Sequence, residues 1–231
     1  LDDAAGLPFY FNFGAPSCVP ATSFETAGAV IGPEEIKTLL QNKNIKYLAE
    51  MMNFPGVIHR DPDVMEKIRL THEAGKKVDG HAPGLRGEDA IRYFETGITT
   101  DHECFELDEA LGKLRLGVHV LIREGSAARN FEALIPAIAE FPGQIMFCSD
   151  DKHPDSLLLG HINQLVSRAV RLGYDLFDVL NAACVNPVLH YGLEHGRLRS
   201  GDPADFILVS DLQDFLVEKT YIRGQLVAEN G

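Results

Sequence analysis

No apolar run in these 231 residues reaches the length of a membrane span, and the opening stretch LDDAAGLPFYFNF lacks the basic region of a secretory signal. An initiator Met is missing too, so the true N-terminus is expected upstream. Cys18, Cys104, Cys148 and Cys184 form no C-x-x-C pair, which argues against a structural zinc site and against a small disulfide scaffold. Reduced, buried cysteines in a cytoplasmic protein are the expectation. The phosphate-binding pattern G-x-G-x-x-G is absent, which weakens a dinucleotide-binding reading. Cations are scarce: 21 Lys and Arg stand against 34 Asp and Glu, a formal charge of -13. Nucleic acid and anionic membrane both want a basic face, so neither is expected as a partner.

What is present is ordinary globular material, 45% hydrophobic and 24% charged, in a chain long enough for a sizeable core. Six short apolar runs recur: PFYFNF, IKYLA, KKVDG, GITTD, GVHVLI and QIMFCS. Each is too short for a helix, and β-branched or aromatic residues dominate most of them. Amphipathic segments with start and stop signals lie between. In DPDVMEKIRLTHEAG, Asp61 is placed as N-cap, Pro62 at the first helical position and Gly75 as the stop. GEDAIRYFETG and DEALGKLRLG each end in Gly before the next strand. SAARNFEALIPAIAEF and PDSLLLGHINQLVSRAVRLG predict two longer helices. The series is βαβα, which implies parallel strands joined by crossover helices.

Open doubly wound sheets and closed barrels share that pattern, and the polar residues favour the barrel. Glu50, His81, His102, Arg123 and Asp150 each fall at the C-terminal end of a predicted strand, where a (β/α)8 barrel builds its active site. Only six strands are found, not eight. Near residue 200 Gly and Pro punctuate the chain, and ADFILVSD and KTYIRGQLVAENG follow as two β segments without a helix between them. The expected division is therefore a barrel over 1–199 and a small β appendage over 200–231.

The run IMFCSDDKH ends in adjacent carboxylates, Asp150 and Asp151, which repel each other unless solvent, a proton or a cation holds them. His81 in VDGHAPG and His102 in TTDHE emerge from strand ends into loops. A lone imidazole there is often only a hydrogen-bonded structural residue, and Glu50 would serve equally as a solvated charge. Four such residues at four strand ends are harder to explain separately. Glu50, His81, His102 and Asp150 are the candidate ligands of a divalent metal, and imidazole and carboxylate donors suit Mn, Fe or Zn. His59, His72, His119, His153, His161, His190 and His195 are assigned to structure or surface, with His119 inside a strand and His161 in a helix.

The stretches PSCVPAT, LAEMMNFPGV, VDGHAPGL, GITTDHE, IREGS and CSDDKHPDSLLLGHI resemble the amidohydrolase superfamily, and within it the adenine deaminases of bacterial type. The tail NPVLHYGLEHGRLRSGDPADFILVSD is similar to the superfamily's closing signature. The resemblance implies an α/β fold, a partial (β/α)8 TIM-like barrel of strands 3 to 8 with part of a small C-terminal β-sandwich. It implies a binuclear divalent-metal site, with Mn or Fe ahead of Zn, and hydrolysis of adenine to hypoxanthine and ammonia by metal-activated hydroxide. Glu50 would bridge the metals, His81 and His102 would bind the second, and Asp150 would bind the first and shuttle protons. Glu103, Arg123 and Asp151 face the same mouth as substrate contacts or supports of the ligands. Loop charges that cap backbone groups remain an equal reading for Arg123. Another amidohydrolase, acting on a cyclic amide or another aminated ring, and a non-catalytic metal-binding module are the alternatives.

The family's His-x-His pair on the first strand has no counterpart here, since no H-x-H occurs anywhere. The chain is accordingly expected to be a fragment, with its open edges covered by missing segments or by other copies in a homo-oligomer. As an isolated piece it is expected to turn over adenine poorly or not at all. Full turnover by a chain of verified mass would overturn that expectation.

Overall fold

Strand and helix alternate through the first half of this chain because apolar β-formers alternate there with amphipathic segments. The computed structural model describes residue 4, residues 6–22 and residues 24–230. These fall into two compact units, Tyr10–Val120 and the described residues from Leu121 onward together with those of Asp2–Phe9. The chain passes from one to the other inside a strand.

The first unit runs β1 (Phe13–Ala15), α1 (Pro33–Leu40), β2 (Ile45–Met51), α2 (Phe54–Ile58), α3 (Pro62–Glu73), β3 (Lys77–Gly80), α4 (Gly87–Phe94), β4 (Thr100–Asp101), α5 (Leu107–Arg115) and the start of β5 (His119–Arg123). Asp61 caps α3 as expected: its carboxylate accepts from the Asp63 and Val64 amides at 3.0 and 3.1 Å. Gly75, at φ 67°, ends the helix in the left-handed region. β1, β2 and β3 pair in parallel in that order. An isolated parallel bridge joins Val78 to Ile98, and β4 pairs in parallel with the start of β5. Leu48, Val78, Ile36, Ile68 and Tyr93 belong to the core between these strands and helices. The parallel series read from the sequence is therefore present.

One strand is displaced from its expected position. PFYFNF covers 8–13, but the ladder begins only where the Phe13 amide reaches the Asn44 carbonyl at 3.2 Å. Phe9 and Phe11 stay exposed, and apolar character alone did not make this stretch a strand.

In the second unit β5 ends, followed by α6 (Phe131–Leu134), a 3-10 segment (Ile135–Ala139), β6 (Ile145–Cys148), α7 (Pro154–Leu157), α8 (Ile162–Arg171), α9 (Leu176–Leu180), a wide turn (Asn181–Val185) and α10 (Asn186–Tyr191). Both helices predicted as long are broken. Pro136 cannot donate to the preceding turn, so the chain tightens after Leu134. Gly160, at φ 133°, separates α7 from α8. His161 is consequently the N-cap of α8 and not within a helix. The tail is a three-stranded antiparallel sheet, β7 (Phe206–Val209), β8 (Val217–Ile222) and β9 (Gln225–Glu229). The single β segment expected over KTYIRGQLVAENG is thus a hairpin, because Arg223 and Gly224 take φ of 52° and 75° and reverse the chain in two residues. Leu1 and Gly231, the outer limits of the expected domains, lie outside the described residues. Among the described residues no helix is long and apolar enough to cross a membrane.

Gly80 closes β3 where β4 comes nearest. A Cβ there would stand 2.2 Å from the Thr100 carbonyl oxygen and 2.9 Å from Ile98 Cγ2. Backbone cannot yield as a side chain does, so Gly80→Ala is expected to cost about 1–3 kcal/mol of stability, read as a lower urea midpoint at unchanged slope.

Candidate metal centre

The C-terminal ends of β2, β3 and β4 bring three donors together. Glu50 is the penultimate residue of β2, His81 follows β3 directly and His102 follows β4 directly. Glu50 Oε2 lies 2.8 Å from His81 Nδ1 and 3.1 Å from His102 Nε2. The two rings sit edge to face with centroids 5.3 Å apart. Hydrogen bonds from His102 and then His81 pull the Glu50 pKa down to about 2, against a smaller push upward from burial. Glu103, buried, places Oε1 3.6 Å from His102 Nε2 and 3.8 Å from His81 Nδ1. One donor atom from each of Glu50, His81 and His102 lies within 4.8 Å of the others. An anionic oxygen between two imidazole nitrogens is a donor set that fits a divalent cation of the Mn, Fe or Zn type.

Beneath these donors lies a second cluster, of different character. Asp101, Glu109 and Lys113 are almost fully buried. The Lys113 ammonium donates to Asp101 Oδ2, to Glu109 Oε1 at 2.6 Å and to the Ala82 carbonyl at 2.7 Å. The carboxylates in turn accept backbone amides: Asp101 Oδ1 from Glu103 at 2.9 Å, Glu109 Oε1 from Gly84 at 2.9 Å and Glu109 Oε2 from Phe105 at 3.3 Å. Burial pulls the Lys113 pKa down, and Asp101, Cys104 and Glu109 more than offset it, so the ammonium stays charged. Asp101, Cys104 and Glu109 have metal-like spacing as well, but Lys113 already supplies their cation. Burial also pushes the Cys104 thiol up, which disfavours the thiolate a metal would need.

None of Asp101, Glu109, Lys113 or Tyr93 was singled out from the sequence. The signal was present in DEALGKLRLG: Glu109 and Lys113 stand four apart on the same face as Ala110 and Leu114, a charged pair where an amphipathic helix should be apolar.

The remaining candidates belong to the second unit. Arg123 ends β5, is buried, and donates from Nη1 to Asp150 Oδ2 at 2.7 Å and from Nε to Asn130 Oδ1 at 3.0 Å. Asp150, two residues past β6, turns the chain at φ 49°. The positive partner at the acidic pair within this unit is therefore the Arg123 guanidinium. Asp151 is exposed, and its carbonyl accepts from the Ser126 amide at 3.0 Å. Of the other histidines, His72 meets the Thr96 carbonyl at 2.9 Å and His190 stacks edge-on against Tyr191.

The Amidohydrolase family model matches residues 1–227. The chain is 57% identical over 231 residues to the adenine deaminase of Salinibacter ruber, covering 100% of this chain and 42% of that protein. It is 59% identical over 228 residues to the adenine deaminase of a Sulfurovum species, covering 99% and 43%. It thus spans about two fifths of the length of the curated relatives it matches. Among solved structures, β-aspartyl dipeptidase of Fervidobacterium islandicum is similar at a TM-score of 0.66 and 18% identity, over 95% of this chain and 64% of that one. N-acetylglucosamine-6-phosphate deacetylase of Pasteurella multocida is similar at 0.64 and 15%, over 87% and 62%. At those identities the likeness is one of fold.

Lys113→Met keeps the length of the side chain but leaves Asp101 and Glu109 buried without a cation. The unfolding free energy measured in urea should fall by about 3–5 kcal/mol, the cost of breaking a buried pair from one side.

Proposed function

The chain belongs to the amidohydrolase family, and from that premise we propose that it is part of a protein that hydrolyses adenine to hypoxanthine and ammonia, a reaction the chain alone performs poorly or not at all. The convergence of Glu50, His81 and His102 on one point is the observation that carries the reading. In the reaction a C6–O bond forms, the C6–N bond to the exocyclic amine breaks, and the amine leaves with one added proton.

Glu50, His81, His102 and Asp150 are proposed as the metal ligands, and a binuclear centre of Mn or Fe, or of Zn, suits their donors. When bound, the metal supplies Lewis acidity that makes water a nucleophile at neutral pH. Asp150 is proposed to carry the proton between the attacking water and the ring or leaving nitrogen. Its resemblance in CSDDKHP supports that role, and its contact with the Arg123 guanidinium orients the side chain. Glu103, Asp151 and Arg123 are proposed to contact adenine or steady the ligands.

The architecture proposed around this chemistry is a (β/α)8 barrel contributing its third to eighth strands over 1–199, with part of a small β-sandwich over 200–231. Parallel pairing and candidate ligands at the C-terminal strand ends support the first part, and the antiparallel β7–β9 sheet supports the second. A homo-oligomer in the cytoplasm is proposed as the working form.

A protein that carries this chain within the length of its curated relatives, stripped by chelator and reloaded with Mn2+, is assayed for conversion of adenine to hypoxanthine, beside the 231-residue chain alone, which is expected to turn adenine over poorly or not at all. Activity should be lost on stripping and return on reloading. His81→Ala and His102→Ala should each lower it at least about 100-fold, since even outer partners of ligands are worth 10–100-fold. Turnover of a cyclic amide but not adenine would assign another reaction of the family. Stoichiometric metal with no hydrolysis of either would leave a binding module.

A further inference from the structure

A cation site tolerates errors of only about 0.2 Å in donor distance, yet Glu50, His81 and His102 stand on three separate strand ends. The β-ladders set their spacing only in part, since Met51 pairs with Gly80 but through an irregular register. The β2–β3 register shifts between Leu48 and Met51, the stretch that contains Glu50. β4 is only Thr100–Asp101. Two buried side chains that are not ligands span the gaps the ladders leave. The Tyr93 hydroxyl, fully buried, donates to the Met51 carbonyl at 2.8 Å and accepts the His81 amide at 3.0 Å, tying the end of β2 to the end of β3. Lys113 joins the Ala82 carbonyl to Asp101 Oδ2, tying the end of β3 to the end of β4. Every one of these contacts falls on a ligand or on its immediate chain neighbour.

We propose that Tyr93 and Lys113 are positioning residues that set the mutual spacing of Glu50, His81 and His102, and with it the affinity and coordination shape of a bound divalent cation. The inference rests on the reading of those three residues as ligands. It assigns two side chains that touch neither metal nor substrate a measurable share in binding the metal.

The test uses the full chain, metal-free, titrated with Co2+ alone. Affinity is read from the titration and coordination shape from the visible ligand-field bands. Far-UV circular dichroism and the urea midpoint report folding for every variant. Tyr93→Phe keeps the packed ring and removes one oxygen. Glu109→Gln keeps the Lys113–Asp101 pair but weakens the hold of α5 on the loops after β3 and β4. Both are expected to fold, to bind Co2+ about tenfold more weakly or worse, and to shift its bands. Should Glu109→Gln fail to fold, Tyr93→Phe decides for Tyr93, and Lys113→Arg, which keeps the buried cation but changes its reach to Ala82 and Asp101, decides for Lys113. Wild-type affinity and bands in the folded variants would overturn the proposal while leaving the ligand reading intact. Co2+ bands unchanged by His81→Ala would overturn the ligand reading, and the proposal with it.

Discussion

The buried ammonium of Lys113 is the contact on which the rest of the first unit's functional end depends. An isolated charge in a protein interior is costly, and here the cost is met by two carboxylates and a carbonyl that are equally committed. Well-packed apolar side chains of the same volume could be as stable. They could not be directional. Each acceptor of Lys113 belongs to a different piece of chain, the loop after β3, the end of β4 and helix α5, so the ammonium fixes three segments against one another. The loops it fixes are the ones that begin with His81 and His102.

Two donor clusters therefore lie next to each other in the first unit and differ in one respect. Asp101, Cys104 and Glu109 have spacing that would suit a metal, but they enclose the protein's own cation. Glu50, His81 and His102 lie instead against one another and Glu103. An imidazole nitrogen can release its proton to solvent and hold a cation in its place, whereas the Lys113 ammonium is fixed between its buried acceptors. Spacing alone does not separate structural from functional clusters; the identity of the resident positive charge does.

Much of this was legible in the sequence, for identifiable reasons. Asp61 and Pro62 announced α3, and Gly75 its end, because capping is a local matter of one side chain and three amides. His81, His102 and Glu50 were legible because polar residues at the ends of apolar runs are conspicuous. Lys113 and Tyr93 were not, since a buried cation looks like a surface lysine until its partners, twelve and thirty-one residues earlier in the chain, are brought beside it. PFYFNF misled for the converse reason. Strand formation is decided by the neighbour as much as by propensity, and the ladder with β2 begins at Phe13, whose amide reaches the Asn44 carbonyl. Pro136 and Gly160 were visible as breakers, and the amphipathic pattern on either side was given more weight than they deserved.

Two departures from regular structure in the first unit fall beside the candidate ligands. The β2–β3 register shifts in the stretch that contains Glu50, and a close backbone approach falls at Gly80 immediately before His81. Neighbouring strands in a ladder stand about 4.8 Å apart, with side chains aimed alternately to opposite faces. A regular ladder thus separates the residues it pairs, and it cannot bring one carboxylate oxygen to about 3 Å of imidazoles on two other strands without help. Regularity has to end where convergence begins. Once it ends, the ladder's amides and carbonyls need other partners, and Tyr93, Asp101, Glu109 and Lys113 are where those groups go. The buried polar network of Tyr93, Asp101, Glu109 and Lys113 is therefore a consequence of pointing several strand ends at one place.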